Sequence, residues 1–165
     1  MRPVRGGFEI ETDTGETIRL EAGTDGLHID GAEDVKGWVL RRAAGDDDGL
    51  VLDRDAGDDE AGRTSAIFGG IREANLYYVL LGDGRLFRIA LGEPRGAVFE
   101  LRGWETAGAY LKATPDDAGW RVTPAPAGSA LPDLRALMIL FAAEILDSEG
   151  SLGLPLRDSL RRNED

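Results

Sequence analysis

From Phe8 onward, apolar and polar residues alternate: Phe8 and Ile10 against Glu9 and Glu11, then Ile18 and Leu20 against Thr17, Arg19 and Glu21. A period of two marks half-buried strands. Asp13 to Gly15 joins these two runs as a short hairpin, and Ala22 to Gly26 leads into Leu27 and Ile29, between which His28 points outward. Further strands are predicted at Trp38 to Ala43, at Leu50 to Asp53, from Thr64, at Leu76 to Leu81 and at Arg85 to Leu91. Gly82-Asp83-Gly84 is the strongest hairpin signal, because Asp-Gly supplies the positive φ that a tight turn demands. In Ala97 to Arg102 the alternation sets Ala97, Phe99 and Leu101 against an outward Val98, Glu100 and Arg102. Ala109 to Ala113 and Trp120 to Thr123, joined by the turn residues of TPDDAG, complete a set of about eleven to twelve strands.

The pattern then changes. Every residue from Ala136 to Ala143 is apolar, and Ile145 and Leu146 continue the run past Glu144. A helix that is apolar all round is a buried helix. A membrane span needs about 20 predominantly apolar residues, whereas Asp133, Arg135, Glu144 and Asp147 bracket this run. The linker PAPAGSALPD stops the sheet and delivers the chain to the helix, where Pro132 suits the first turn and Asp133 complements the positive end of the dipole. Many short strands and one helix without a polar face predict an antiparallel closed barrel around a C-terminal central helix. One domain is expected over 1–149 with its helix at about 132–148, followed by a polar tail over 150–165.

This order of elements, ending in the apolar LRALMILFAAEILD, resembles the tubby C-terminal-like fold shared by tubby proteins, LURP-one-related proteins and phospholipid scramblases. The likeness covers Phe8 to Asp147 and lies in architecture. It implies peripheral lipid binding, since tubby domains bind phosphoinositide head groups through basic side chains, while scramblases carry palmitoylated cysteines and a calcium-binding segment. The present chain is acidic, has no cysteine and lacks an acidic loop immediately before the helix, so the resemblance implies the fold and no functional residue.

Charge narrows the partners. Net charge is −12, from 31 acidic and 19 basic residues, which disfavours nucleic acid and acidic membranes as general partners. Lys36 and Lys112 are the only lysines among the basic residues, an arginine bias associated with GC-rich bacterial genomes. The absence of cysteine excludes disulfides, thiolate nucleophiles and cysteine-ligated metals. MRPVRGGFEIETD has no apolar segment of the signal-peptide kind, and a cytoplasmic protein is expected, monomeric or weakly oligomeric.

Candidate chemistry is sparse. His28, the one histidine, has no second histidine or serine signature beside it and is expected at the surface. Asp53 to Asp58 resembles an EF-hand loop, but Gly57 arrives one position early and Thr64 stands at the twelfth place, where glutamate is required. A solvated acidic loop is therefore expected at Asp53 to Glu60, with weak calcium binding as the alternative. Trp38, Trp104 and Trp120 each follow a glycine and are expected as core or barrel-mouth residues, the alternative being a stacking platform for sugars or bases. Glu144 must reach the barrel mouth or meet an arginine, its functional alternative being a buried acid with a raised pKa. No catalytic, cofactor-binding or metal-ligating residue is assigned, and the ligand is left open. The expected function is a non-catalytic binding or interaction module, with peripheral lipid binding as its family-implied form. Its rivals are an acidic protein that masks a basic partner, which Asp46 to Asp48 and Asp53 to Glu60 favour, and an enzyme working from carboxylates at the barrel mouth.

Overall fold

A computed structural model describes residues 1–12, 14–42, 49–54, 65–69, 77–91, 98–117, 119–131 and 133–148. Among the described residues twelve strands precede one α-helix: β1 Arg2–Val4, β2 Gly7–Glu11, β3 Thr17–Ala22, β4 Leu27–Asp30, β5 Trp38–Arg42, β6 Leu50–Arg54, β7 Ser65–Gly69, β8 Tyr77–Leu80, β9 Leu86–Leu91, β10 Phe99–Gly103, β11 Ala109–Asp116 and β12 Gly119–Pro124. A 3₁₀ turn, Gly128–Ala130, leads to α1, Leu134–Ser148. Alternation predicted all of these strands except β1, whose RPV carries no period of two. It also ended β11 early, because that strand runs through Thr114 and Pro115 to Asp116 before turning. The expected acidic loop beyond Arg54, Asp46 to Asp48 and the tail over 150–165 lie outside the described residues.

The strands form one antiparallel sheet in sequence order, β1 to β12. Short turns with the right backbone geometry set this meander. Gly84 takes φ 88° in the β8–β9 turn. Gly31 takes φ 97° after β4, where an added Cβ would stand 2.1 Å from the Thr17 carbonyl oxygen. The described ladders run from β1 to β12 and none of them joins the two edges. The edges nevertheless meet at one point: the Met1 amine donates to the Trp120 carbonyl, and the Trp120 N–H donates back to the Met1 carbonyl at 3.1 Å. That reciprocal exchange is how two directly opposed residues bond in an antiparallel pair.

The sheet curls strongly around α1. Asp133, just before the helix, accepts from Arg85 of the β8–β9 turn. Two residues later Arg135 donates to Glu16 of the β2–β3 turn at 2.8 Å and to Asp34, after β4, at 3.3 Å. Six strand spacings separate β3 from β9, about 29 Å if the sheet were flat, too far for two residues in one helical turn to reach both. Side chains of α1 are buried all round: Leu137, Ile139, Leu140, Phe141, Ala142 and Ala143 are 0% exposed. They pack with Phe8, Ile10, Ile18, Leu20, Leu27, Leu40, Leu52, Leu101 and Leu111, the residues that the strands turn inward. The helix backbone runs nearest β6 and β7, so the space on its other sides is filled by side chains rather than by main chain. Burying its seven large apolar side chains contributes on the order of 10–20 kcal/mol before chain entropy is subtracted.

Candidate functional site

The residues singled out in the sequence do not converge. His28 is exposed as its phase predicted, and its Nε2 lies 2.7 Å from Asp25 Oδ1. Glu144 is half-buried and engaged by a neighbouring group. Asp53, the first position of the calcium-like run, is held by Arg41 across the β5–β6 pair. Trp38 and Trp120 are half-buried against the core, and Trp120 also meets Phe99 at 5.3 Å between ring centroids. Trp104 departs from the core half of the expectation: it is 43% exposed, just beyond the end of β10. Its N–H donates to the Leu86 carbonyl at 3.1 Å, which extends the β9–β10 pairing by one residue and leaves the indole outside the core.

Trp104 marks a cluster on the outer face of β8 to β11. On β9, Phe87 and Ile89 turn inward, so Arg88 between them faces out. Register places Tyr78 of β8 directly opposite Arg88 on one side and Arg102 of β10 on the other. Two arginines directly opposed repel, unlike the opposite-charge pairs that stabilise a sheet. Arg102 has its own carboxylate, donating from Nε to Glu100 at 2.8 Å, and Lys112 Nζ stands 3.1 Å from the other oxygen of Glu100. Arg88 differs, because its Nε is buried and meets no acceptor among the described residues. An unmet charged donor costs about 1–3 kcal/mol or more.

Tyr78 and Trp104 meet edge to face, with ring centroids 6.4 Å apart. Their strands flank β9 and are about 10 Å apart, so the two rings lean toward each other across the strand that carries Arg88. Glu100 corrects the sequence reading a second time. Alternation set it outward toward water, yet it is only 6% exposed, because Arg102 and Lys112 close over it from either side. The hydrogen bond from Arg102 holds its carboxyl below the ordinary value of 4.5 against the opposing effect of burial, and Lys112 adds to the lowering. Three cations, Arg88, Arg102 and Lys112, lie on this face around Glu100, while Asp116 at the far end of β11 is paired with Arg121, in a chain whose net charge is −12.

A recess of about 140 Å³ lies where the sheet edges meet and is lined by Met1, Arg2, Glu9, Glu11, Thr17 and Asp116. Its charges largely answer one another: Glu9 takes both Arg2 and Arg19, and Asp116 takes Arg121. Burial lowers the pKa of the Met1 amine, while Asp116 and Glu11 oppose that shift. Among the described residues no three acidic or histidine side chains gather as ligands for a metal ion. No described helix is long and apolar enough to cross a membrane.

Comparison with known proteins leaves the geometry to speak for itself. No family model, curated protein or solved structure matches the chain. The candidate site therefore rests on the chemistry of β8 to β11.

Proposed function

We propose that this chain is a non-catalytic interaction module, a tubby-like barrel closed around its own C-terminal helix, that binds a protein partner on its outer surface. The filled interior carries this reading: side chains on every side of α1 are buried against the sheet, so the space where small barrels hold a ligand is taken. Closure is supported by the reciprocal Met1–Trp120 bonds and by the grip of two distant turns on Asp133 and Arg135. Lipid is the weaker partner. Arg2, Arg19, Arg41, Arg85, Arg121 and Arg135 are each paired with a carboxylate, so these six arginines offer an anionic membrane little unanswered positive charge.

Chemical cross-linking followed by capture and mass-spectrometric mapping tests the proposal. A stoichiometric protein attached at outer-face positions such as Lys112 is the expected result. Co-sedimentation with phosphatidylserine vesicles at physiological salt, with no protein partner recovered, would replace it with the lipid reading.

A further inference from the structure

We infer that the outer face of β8 to β10 is a docking site for a partner segment that presents a carboxylate beside an aromatic or aliphatic side chain. Arg88 receives the carboxylate and Trp104 covers the apolar group. This deepens the interaction-module reading and rests on it.

Three observations lead to that partner chemistry. The first is the orphaned donor: Arg88 Nε is buried with no acceptor among the described residues, and Arg102 directly opposite brings a second positive charge rather than relief. The carboxylates described on β10 and β11 are engaged elsewhere, Glu100 by Arg102 and Lys112 and Asp116 by Arg121. Nε itself has no surface open to a ligand, so an incoming carboxylate would take the guanidinium through its terminal nitrogens and set a negative charge beside the opposed Arg88 and Arg102. The second is the aromatic pair. Tyr78 and Trp104 lean across β9, and Trp104 stays 43% exposed, offering an apolar surface next to the cation. Arginine, tryptophan and tyrosine are the three residue types that dominate interface hot spots, and here all three sit within one patch.

The third is overall charge. A phosphoryl group or a membrane brings two or more negative charges toward a chain already at −12, whereas a single carboxylate on an otherwise neutral or basic segment meets the local cations with less long-range repulsion. A partner protein is thereby favoured over a lipid surface. Its carboxylate can come from an acidic side chain or from a chain terminus.

Two-dimensional NMR of the whole chain, titrated with phenylacetate, phenylacetamide and phenyl phosphate, tests the site directly. Phenylacetate should shift the side-chain N–H signals of Arg88 and Trp104 saturably in the millimolar range, and Arg88→Gln should weaken it at least about tenfold while Arg19→Gln leaves it unchanged. Because an orphaned, like-charged cation is removed, Arg88→Gln should keep or raise the melting temperature. A sharp fall would make Arg88 a structural residue and overturn the inference. So would equal binding of the neutral amide, tighter binding of phenyl phosphate, or no saturable shift. With a partner captured by cross-linking, free-acid and amidated forms of its contacting segment separate a terminal carboxylate from a side-chain one. Capture that is indifferent to Arg88→Gln and Trp104→Ala would refute this site and leave the interaction module standing. Absence of any protein partner would remove both.

Discussion

Five consecutive helix residues, Leu137, Met138, Ile139, Leu140 and Phe141, are each no more than 1% exposed. Successive residues are about 100° apart around a helix, so these five pass through more than a full circle. A helix docked on the outside of a sheet would have at least one tolerant position among them. An enclosed helix has none. Each replaced singly by alanine should cost about 2–5 kcal/mol for Leu137, Met138, Ile139 and Leu140, and about 3–5 kcal/mol for Phe141, the upper part of each range where rigid strands prevent collapse into the cavity. The assay is urea unfolding followed by far-ultraviolet circular dichroism, with the shift in midpoint read at constant slope. A single position costing less than about 1 kcal/mol would refute enclosure, because truncation there would have removed nothing that was buried. Leu140→Asp extends the test. An unpaired carboxylate at that position carries a penalty of several kcal/mol against a total stability of about 5–15 kcal/mol, and the chain should not fold. Ending the chain at Ala130 should have the same effect. Soluble truncated material with a cooperative melt would end the central-helix reading.

Two further outcomes follow from the charged side chains. The Glu100 carboxyl is held below its ordinary value of 4.5, so its contribution to stability is present above that value and is lost as pH falls through the lowered one. Glu100→Gln should therefore cost about 1.5–3 kcal/mol at neutral pH and flatten the acid limb of the stability profile; parallel wild-type and variant curves between about pH 3 and 6 would show that Glu100 contributes nothing by its charge. His28→Ala should change stability by less than about 0.5 kcal/mol, since ring and partner are both exposed, and a larger loss in the melt would mean that β4 is out of register.

The strands and the helix were legible because alternation and an all-apolar run are local signals. The site was legible only in part. In Leu86–Leu91 the alternation sets Arg88 outward, and the symmetric Gly82-Asp83-Gly84 turn fixes Tyr78 opposite it. The other neighbour is different. Arg102 faces Arg88 through a register set by the longer β9–β10 connection, whose length gives no tight-turn rule. Glu100 shows the same limit from another direction. Its phase is read from one strand, but its burial comes from Arg102 and Lys112, one of them on a different strand. The grip of Arg85 and Arg135 on turns and termini far away in the chain was likewise invisible until the sheet was curled.

Sheet pairing here is strictly between sequence neighbours, yet the element they surround is the last one described. On the ribosome, then, each hairpin can zip as it emerges, but more than a hundred residues separate the end of β2 at Glu11 from the start of α1 at Leu134. At about 5–20 residues per second the inward faces of the early strands wait on the order of ten seconds for their core. Throughout that interval Phe8, Ile10, Ile18 and Leu20 form an uncovered apolar surface, the kind of surface that chaperones protect and that drives aggregation when translation stalls before the helix.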